Sequence, residues 1–517
     1  MTTYDAVIYP SHAIRKTSPV HSYTIARLFG LEATDFRTAR VLELGCASGG
    51  NLIPLAAIYP DAEFLGIDLS ARQIEQGIKD IDAIGLSNIR LQHYSIMDID
   101  ETLGKFDYII THGVYSWVPD EVQDKILNIC HQNLMANGIA YISYNTLPGW
   151  NAVKSVREMM LYHTNQFSDP KMKMMEAKKM LQFAIEVNSG NESAYLKILE
   201  AEAEILSKTS DEYMFHDHLE LENRPCYFHD FISSASRHNL QYLGDAEITS
   251  MYLGNYSAKI QQTLKKLTDI VRLEQYLDFL VNRRFRSSLM CHGGIPLMRN
   301  ISSEKLMEFH FSSKYVPMDG YQSVDLDADA DTVFSLPGRA STFTSHSRIM
   351  TAIICVLGEN SMRCWTLNDL VSVAAERLAG TSQDEIKRVF MASMGQVVLS
   401  GILNIAPEPA RYALEISEKP EVYPVARQFI LTKDSVPNIL HEPVFLPKDV
   451  RVIMKYLDGQ HTIDEIATSL LPYFESGELT FSENNVVITD REKLKNIIPK
   501  YLDERLQLLL KNALLIA

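Results

Sequence analysis

The sequence predicts an α/β protein built on a parallel sheet wound with helices on both faces. Three observations carry that expectation. Short apolar runs alternate with helical stretches over the first 150 residues. The first run ends in a turn of small residues, and the second, about twenty residues on, ends on an acid. Alternation of this kind implies right-handed crossovers that bury a sheet on both sides.

Arg40–Leu44 is the first strand. Residues 51–59 have helical periodicity, and Glu63–Asp68 is a second strand closed by its acid. Residues 70–84 read as a helix capped by Ser70, whose hydroxyl suits an unpaired N–H of the first turn. Ile89–His93 and Phe106–Thr111 are the third and fourth strands, 122–135 an amphipathic helix and 138–143 a fifth strand. From 150 to 223 the pattern is wholly helical. Met159, Met160, Met172, Met174, Met175 and Met180 there serve either as helix core or as a pliable wall for a partner. Residues 228–232 and 241–245 form a helix and a strand that return to the sheet, 256–283 one long helix, and 285–291 a final strand.

Beyond Gly293 the character changes. Residues 307–317 and 331–343 look extended, and helix-rich segments follow at 347–405 and 446–517, joined by a link rich in proline. Short helices followed by β-branched residues, as at 459–470 before Val486 and Val487, suit small α+β modules of winged-helix type. The expected division is 1–150 for the core, 151–225 for a helical insertion and 226–300 for the return to the sheet. Winged-helix-like modules then occupy 301–410 and 411–517.

Acids outnumber bases 65 to 49, giving a net charge of −16. Such a field repels polyanions, so no nucleic-acid partner is expected, whereas a basic, lysine-bearing protein is compatible with it. Cys46, Cys130, Cys226, Cys291, Cys355 and Cys364 contain no C-x-x-C pair, so neither a disulfide framework nor a metal is expected. The first residues lack the apolar core of a secretory signal. No apolar run reaches the roughly 18 residues of a membrane span. A cytoplasmic protein without stable membrane insertion follows, and a homodimer is left open.

The chemically informative stretch is Val41-Leu42-Glu43-Leu44-Gly45-Cys46-Ala47-Ser48-Gly49-Gly50-Asn51. Small residues at 45, 47 and 49 let the backbone turn sharply and approach a ligand. Asp68, ending the second strand, can accept both hydroxyls of a ribose. The spacing fails G-x-G-x-x-G for a dinucleotide, and no Gly-Lys-Ser/Thr supports a P-loop.

At these residues the chain resembles the class I S-adenosylmethionine-dependent methyltransferases. Glu43, Gly45, Ala47 and Gly49 match their E-x-G-x-G-x-G motif, with Ala47 in place of the middle glycine. The resemblance implies a Rossmann-like class I methyltransferase sheet with a helical insertion and S-adenosyl-L-methionine as cofactor. It implies that the turn faces the methionine part and that Asp68 binds the ribose. Asp98 is mapped to the adenine side, with Ile96 and Met97 flanking the ring. Cys46, Asn51, Leu69 and His112 join the cofactor-binding set.

Further segments sharpen the likeness. Phe106 to Ile110, His112 to Pro119, Ser143 to Trp150 and Asn282 to Cys291 resemble bacterial methyltransferases carrying a methyltransferase regulatory domain. That branch includes rickettsial protein-lysine methyltransferases that modify an outer-membrane protein. The implied activity is N-methylation of protein lysine by direct in-line transfer, with no covalent intermediate. A small-molecule methyltransferase and a non-catalytic cofactor-binding regulator are the alternatives.

The loops after the fourth and fifth strands hold the expected catalytic groups, His112, Tyr115, Tyr144 and Asn145. Trp117 and Trp150, two of three tryptophans, are the expected substrate pocket, since aromatic faces hold methylated ammonium groups. His112 is either a proton acceptor or a hydrogen-bonding loop residue, and Tyr115 and Trp117 either line the pocket or pack. Cys46 is read as packing rather than redox-active. Tyr4, Tyr9 and His21 lie in a segment that either forms a lid or, from 18 to 29, a first helix on the sheet. Arg283, Arg284 and Arg286 are expected to pair with acids rather than to bind phosphate.

Overall fold

The structure is a computed structural model that describes every residue except 1–6, 8, 191, 410, 484, 485, 489 and 517. Tyr4 therefore lies outside the described residues. The chain divides into two units, Met1–Ser11 with Gly30–Leu297, and His12–Phe29 with Met298–Ala517.

In the first unit seven strands form one sheet in the order β3-β2-β1-β4-β5-β7-β6. They are β1 (Arg40–Leu44), β2 (Glu63–Asp68), β3 (Ile89–His93), β4 (Phe106–Thr111), β5 (Leu134–Asn145), β6 (Leu240–Asp245) and β7 (Phe285–His292). The first five run parallel, and β7 lies antiparallel between β5 and β6. All six residues of β4 are buried, as expected for a central strand covered on both faces. The core runs through Leu42, Leu44, Ile67, Ile109, Ile126 and Ile142 to Phe228 and Phe231. In the helix Ala71–Ile84, Ser70 Oγ accepts the Gln73 N–H at 3.3 Å, and Gly85, left-handed, ends it.

Two expected elements change. Residues 256–283 form two helices, Ala258–Leu264 and Ile270–Val281, because Asp269 accepts the Val271 and Arg272 N–H groups and starts a second helix. The strand expected at 138–143 extends over Leu134–Asn145, held by β4 on one side and β7 on the other.

The insertion comprises Trp150–Thr164, Pro170–Asn188, Ala194–Ser207 and Asp211–His218. Its own core includes Val156, Met160, Met174, Leu181, Leu199, Met214 and Phe215. Met172 and Met175 stay exposed, so only part of the methionine set forms helix core.

In the second unit His310–Ser312 pairs with Asn404–Ala406 beside the helices Arg348–Glu359, Leu367–Arg377 and Gln383–Leu399. Farther along, Lys448–Met454, Ile463–Glu475, the short pair Ser482–Glu483 and Val486–Val487, and Arg491–Lys511 make a helix-helix-wing-helix module. The helix Pro19–Leu28, expected on the sheet, belongs to this second unit. Arg27 pairs with Glu308 at 3.0 Å, and the Phe29 carbonyl accepts the Met298 N–H at 2.8 Å.

A buried charge cluster anchors β7. The Arg286 guanidinium, fully buried, donates to Asp278 (2.8 Å), Glu274 (2.8 Å) and Asp245 (3.2 Å) and lies 4.1 Å from the Phe228 ring centre. Arg283 adds a 2.6 Å bond to Asp278. Burial pushes the Glu274 carboxyl above its ordinary range, against the pull of Arg286. Removing one partner from such a cluster strands buried charge, which costs more than the intact pair contributes. Arg286→Met should therefore lower unfolding stability by about 3–5 kcal/mol in urea titrations. Breaking the exposed Lys208–Glu204 pair should change stability far less, since water screens it. Equal effects would contradict this account of β7.

Candidate active site

Parallel strands bring their carboxyl ends to one edge, where the following loops can hold a ligand. After β1 the backbone must curl back at once. Gly45 (φ 79°), Ala47 (φ 51°) and Gly49 (φ 73°) are all left-handed. At Gly45 a Cβ would also stand 2.5 Å from Val114 Cγ2, so conformation and space both require glycine. Ala47 holds the same conformation with a side chain, at a strain of about 1–2 kcal/mol. The Ile67 carbonyl accepts the N–H groups of Gly45 and Cys46, both at 2.9 Å. Asp68 completes the tie: Oδ2 accepts the Ala47 N–H and Oδ1 the Ser70 N–H, each at 2.8 Å. A carboxylate offers about four acceptor positions, of which these bonds use two.

Glu43 is buried. The Asn51 amide donates to Oε1 at 2.8 Å, and Oε2 has no partner among the described residues. Burial pushes the Glu43 carboxyl up to about 8, against the Asn51 hydrogen bond, and the Asp68 charge adds to the rise. Cys46 is buried against Gly66, where a Cβ would meet Sγ at 2.7 Å. Burial first, then Glu43 and Asp68, lift its thiol well above the ordinary value, so it stays protonated and packs.

Beyond β2 and β3 the surface is apolar. Leu69 is 56% exposed and Met97 45%. Ile96, half-buried, and the exposed Asp98 share the short turn Ile96–Asp98, whose Met97 N–H is capped by Ser95 Oγ at 3.2 Å.

Beyond β4, His112 Nδ1 lies 3.0 Å from Tyr141 Oη, which donates to Ser287 Oγ at 2.9 Å. The neighbouring Gly113 N–H donates to Ser143 Oγ at 2.9 Å. Asn145, the last residue of β5, is buried, and its Nδ2 has no partner among the described residues. Trp117 and Trp150 meet edge to face with ring centres 6.2 Å apart.

Tyr115 and Tyr144 depart from the expected catalytic role and enter the core. Tyr144 stacks on Phe231 at 4.2 Å and shares a hydrogen bond with Ser288 Oγ at 2.9 Å, while Tyr115 stands edge-on to the same Phe231 at 5.3 Å. Burial raises both phenols, so neither hydroxyl is a base near neutral pH. Strand alternation is the reason, since Tyr144 shares the face of Ile142, opposite Tyr141, Ser143 and Asn145.

One further residue joins the site. Asn223 Oδ1 accepts the Trp150 indole N–H at 2.7 Å. Its segment threads between the two loops: Arg224 N–H donates to the Ser116 carbonyl (2.7 Å) and Cys226 N–H to that of Asn145 (3.2 Å). Ahead of the sheet, Tyr9 packs on His216 at 5.4 Å, and Ser11 Oγ accepts the Gly50 N–H at 2.8 Å. His21 belongs to the other unit. Arg283, Arg284 and Arg286 all pair with carboxylates, Arg284 with Glu202 at 2.6 Å. Among the described residues no group of three or more potential ligands could hold a metal, and no helix is long and apolar enough to cross a membrane.

The arrangement fits a nucleoside joined to a cationic amino acid. Asp68 offers acceptors for a diol, Leu69, Ile96 and Met97 offer surface for a purine, and Glu43 offers a buried oxygen for a cation. Residues 35–211 match the family model of a methyltransferase domain. Residues 210–292 match that of a predicted methyltransferase regulatory domain, and 418–514 that of a PKMT C-terminal winged helix domain. The chain is an S-adenosylmethionine-dependent methyltransferase.

PKMT2 from Rickettsia typhi shares the whole architecture, with a TM-score of 0.90, 35% identity, and coverage of 98% of this chain and 100% of that one; it is also solved in complex with AdoHcy. The uncharacterized protein RP789 of Rickettsia prowazekii is 40% identical over 516 residues, 99% of this chain and 93% of its own. RP028 of the same organism is 44% identical over 235 residues, 46% of this chain and 94% of its own. The chain belongs to the family of PKMT2 and RP789.

Asp68→Ala should weaken AdoHcy binding more than about tenfold, the loss of about 1.4 kcal/mol or more in charge-assisted hydrogen bonds. Unchanged affinity in calorimetry would remove Asp68 from the ribose site. Glu43 gives a pH dependence. Its value is raised from 4.5 to about 8, so its contribution to stability is full below the unfolded value and is lost as pH rises through about 8. A cation bound beside it favours the ionised form, so binding expels a proton. AdoHcy affinity should rise with pH toward about 8, and Glu43→Gln should flatten that dependence relative to wild type; parallel profiles would contradict the assignment.

Proposed function

We propose that this methyltransferase acts on the side-chain amine of lysines in a protein substrate. The observation that carries the reading is the meeting of Trp117 and Trp150, with the buried Asn145 amide, on the edge that holds the cofactor turn. Likeness to PKMT2 over the whole chain supports it. In this reading Glu43, Gly45, Cys46, Ala47, Gly49, Asn51, Asp68, Leu69, Ile96, Met97, Asp98 and His112 form the cofactor site.

The cofactor supplies an electrophilic methyl group for in-line displacement. The chain must hold a neutral amine in line with it and keep water out. A lysine ordinarily stays charged up to about 10.4, and the exclusion of water by an enclosing wall disfavours that charge. Trp117 and Trp150 form the wall, Asn145 orients the amine, and His112, held by Tyr141, takes the proton. The net charge of −16 draws a basic substrate toward the protein. Six free cysteines support action in the reducing cytoplasm.

Incubating the full chain with methyl-tritiated cofactor and cell lysate tests the proposal. Label should enter protein bands and survive acid. Label confined to small molecules would favour a metabolite methyltransferase. No label, despite AdoHcy binding, would favour a regulator.

A further inference from the structure

β7 runs antiparallel to β5, so its first residue, and not its last, reaches the edge where β5 ends. That residue is Phe285, paired in register with Asn145. Alternation places Phe285 and Ser287 on one face of β7, the face where Ser287 Oγ accepts from Tyr141 at 2.9 Å. The Phe285 ring accordingly stands edge-on to His112 at 6.1 Å, and it is 44% exposed.

Everything around this phenyl is held fast. Arg283, Arg284 and Arg286, its near neighbours, are locked onto Asp278, Glu202 and the buried Glu274. The Arg284 carbonyl accepts the Thr146 N–H and the Arg283 carbonyl the Gly149 N–H, both at 3.0 Å. Those two bonds fix the start of the helix that carries Trp150. At Gly149 a Cβ would meet the Arg283 oxygen at 2.3 Å, so the two segments lie in direct backbone contact. An exposed phenyl on a rigid backbone, beside His112 and in register with Asn145, presents an aromatic face at this edge of the sheet.

We propose that Phe285 is a specificity-determining residue, an aromatic wall beside His112 that grips the acceptor ammonium as it gains methyl groups. The proposal rests on the lysine reading above. The face of a phenyl attracts an alkylated ammonium through its quadrupole, and a neutral group of equal shape lacks that attraction.

The test uses the AdoHcy-loaded full chain with tryptophan indole NMR signals as the reporter. It is titrated with Nα-acetyl-Nε-trimethyllysine methylamide and with the neutral tert-butyl analogue, in which carbon replaces the charged nitrogen. Wild type should bind the cation about three- to tenfold more tightly than the neutral analogue. Phe285→Leu, which keeps an apolar side chain, and Phe285→Ala should both reduce that preference, Phe285→Tyr should keep it, and AdoHcy affinity should be unchanged in all three. Equal binding of the two probes by wild type, or an undiminished preference in Phe285→Leu, would overturn the assignment. If tritium still enters protein lysine in that event, the lysine reading stands and Phe285 alone is misassigned. Label confined to small molecules would instead remove the reading on which the assignment rests.

Discussion

Asp68 ends β2 with its two oxygens engaged by backbone N–H groups of two separate turns, each at 2.8 Å. One bond comes from Ala47, inside the turn that leaves β1, and the other from Ser70, the cap of the following helix. This carboxylate makes neighbouring strands of the sheet present their ends as one surface. Without it, the left-handed Ala47 would lose its external support, and strained backbone persists only where its surroundings over-determine it. In the proposed cofactor reading the same group that shapes the turn also receives the ribose, which would join architecture to cofactor affinity at this residue.

Farther across the sheet the order reverses, and the exposed edge depends on a buried charge cluster beside it. Arg286 and its carboxylates secure β7. The residues leading into β7, Arg284 and Arg283, in turn give their carbonyls to Thr146 and Gly149, at the start of the helix that carries Trp150. The insertion closes the circuit through Asn223, which orients the Trp150 indole.

Much of this was legible in the residues. The apolar runs predict β1 to β4 with the bounds observed, since each is short, β-rich and closed by turn residues. β5 exceeds its expectation because Leu134 pairs with Phe106 ahead of a register shift, and Tyr144 and Asn145 pair with β7, neither of which a local pattern reveals. Asp269 hides a helix start inside a periodic stretch. The placing of Pro19–Leu28 depends on contacts with residues near 300, which no local pattern reveals. Tyr144 is more instructive. Its loop position suggests catalysis, yet its parity with Ile142 on the strand already assigns it to the core. Asn223 carries no signal of its own beyond the break before Pro225.

The central claim is that methyl transfer ends on a lysine nitrogen. Acid hydrolysis of the tritium-labelled protein product, followed by amino-acid analysis, measures this directly. The account predicts radioactivity eluting with Nε-methylated lysines. Radioactivity eluting with methylated arginine or histidine, or released as methanol from carboxyl esters, would contradict it.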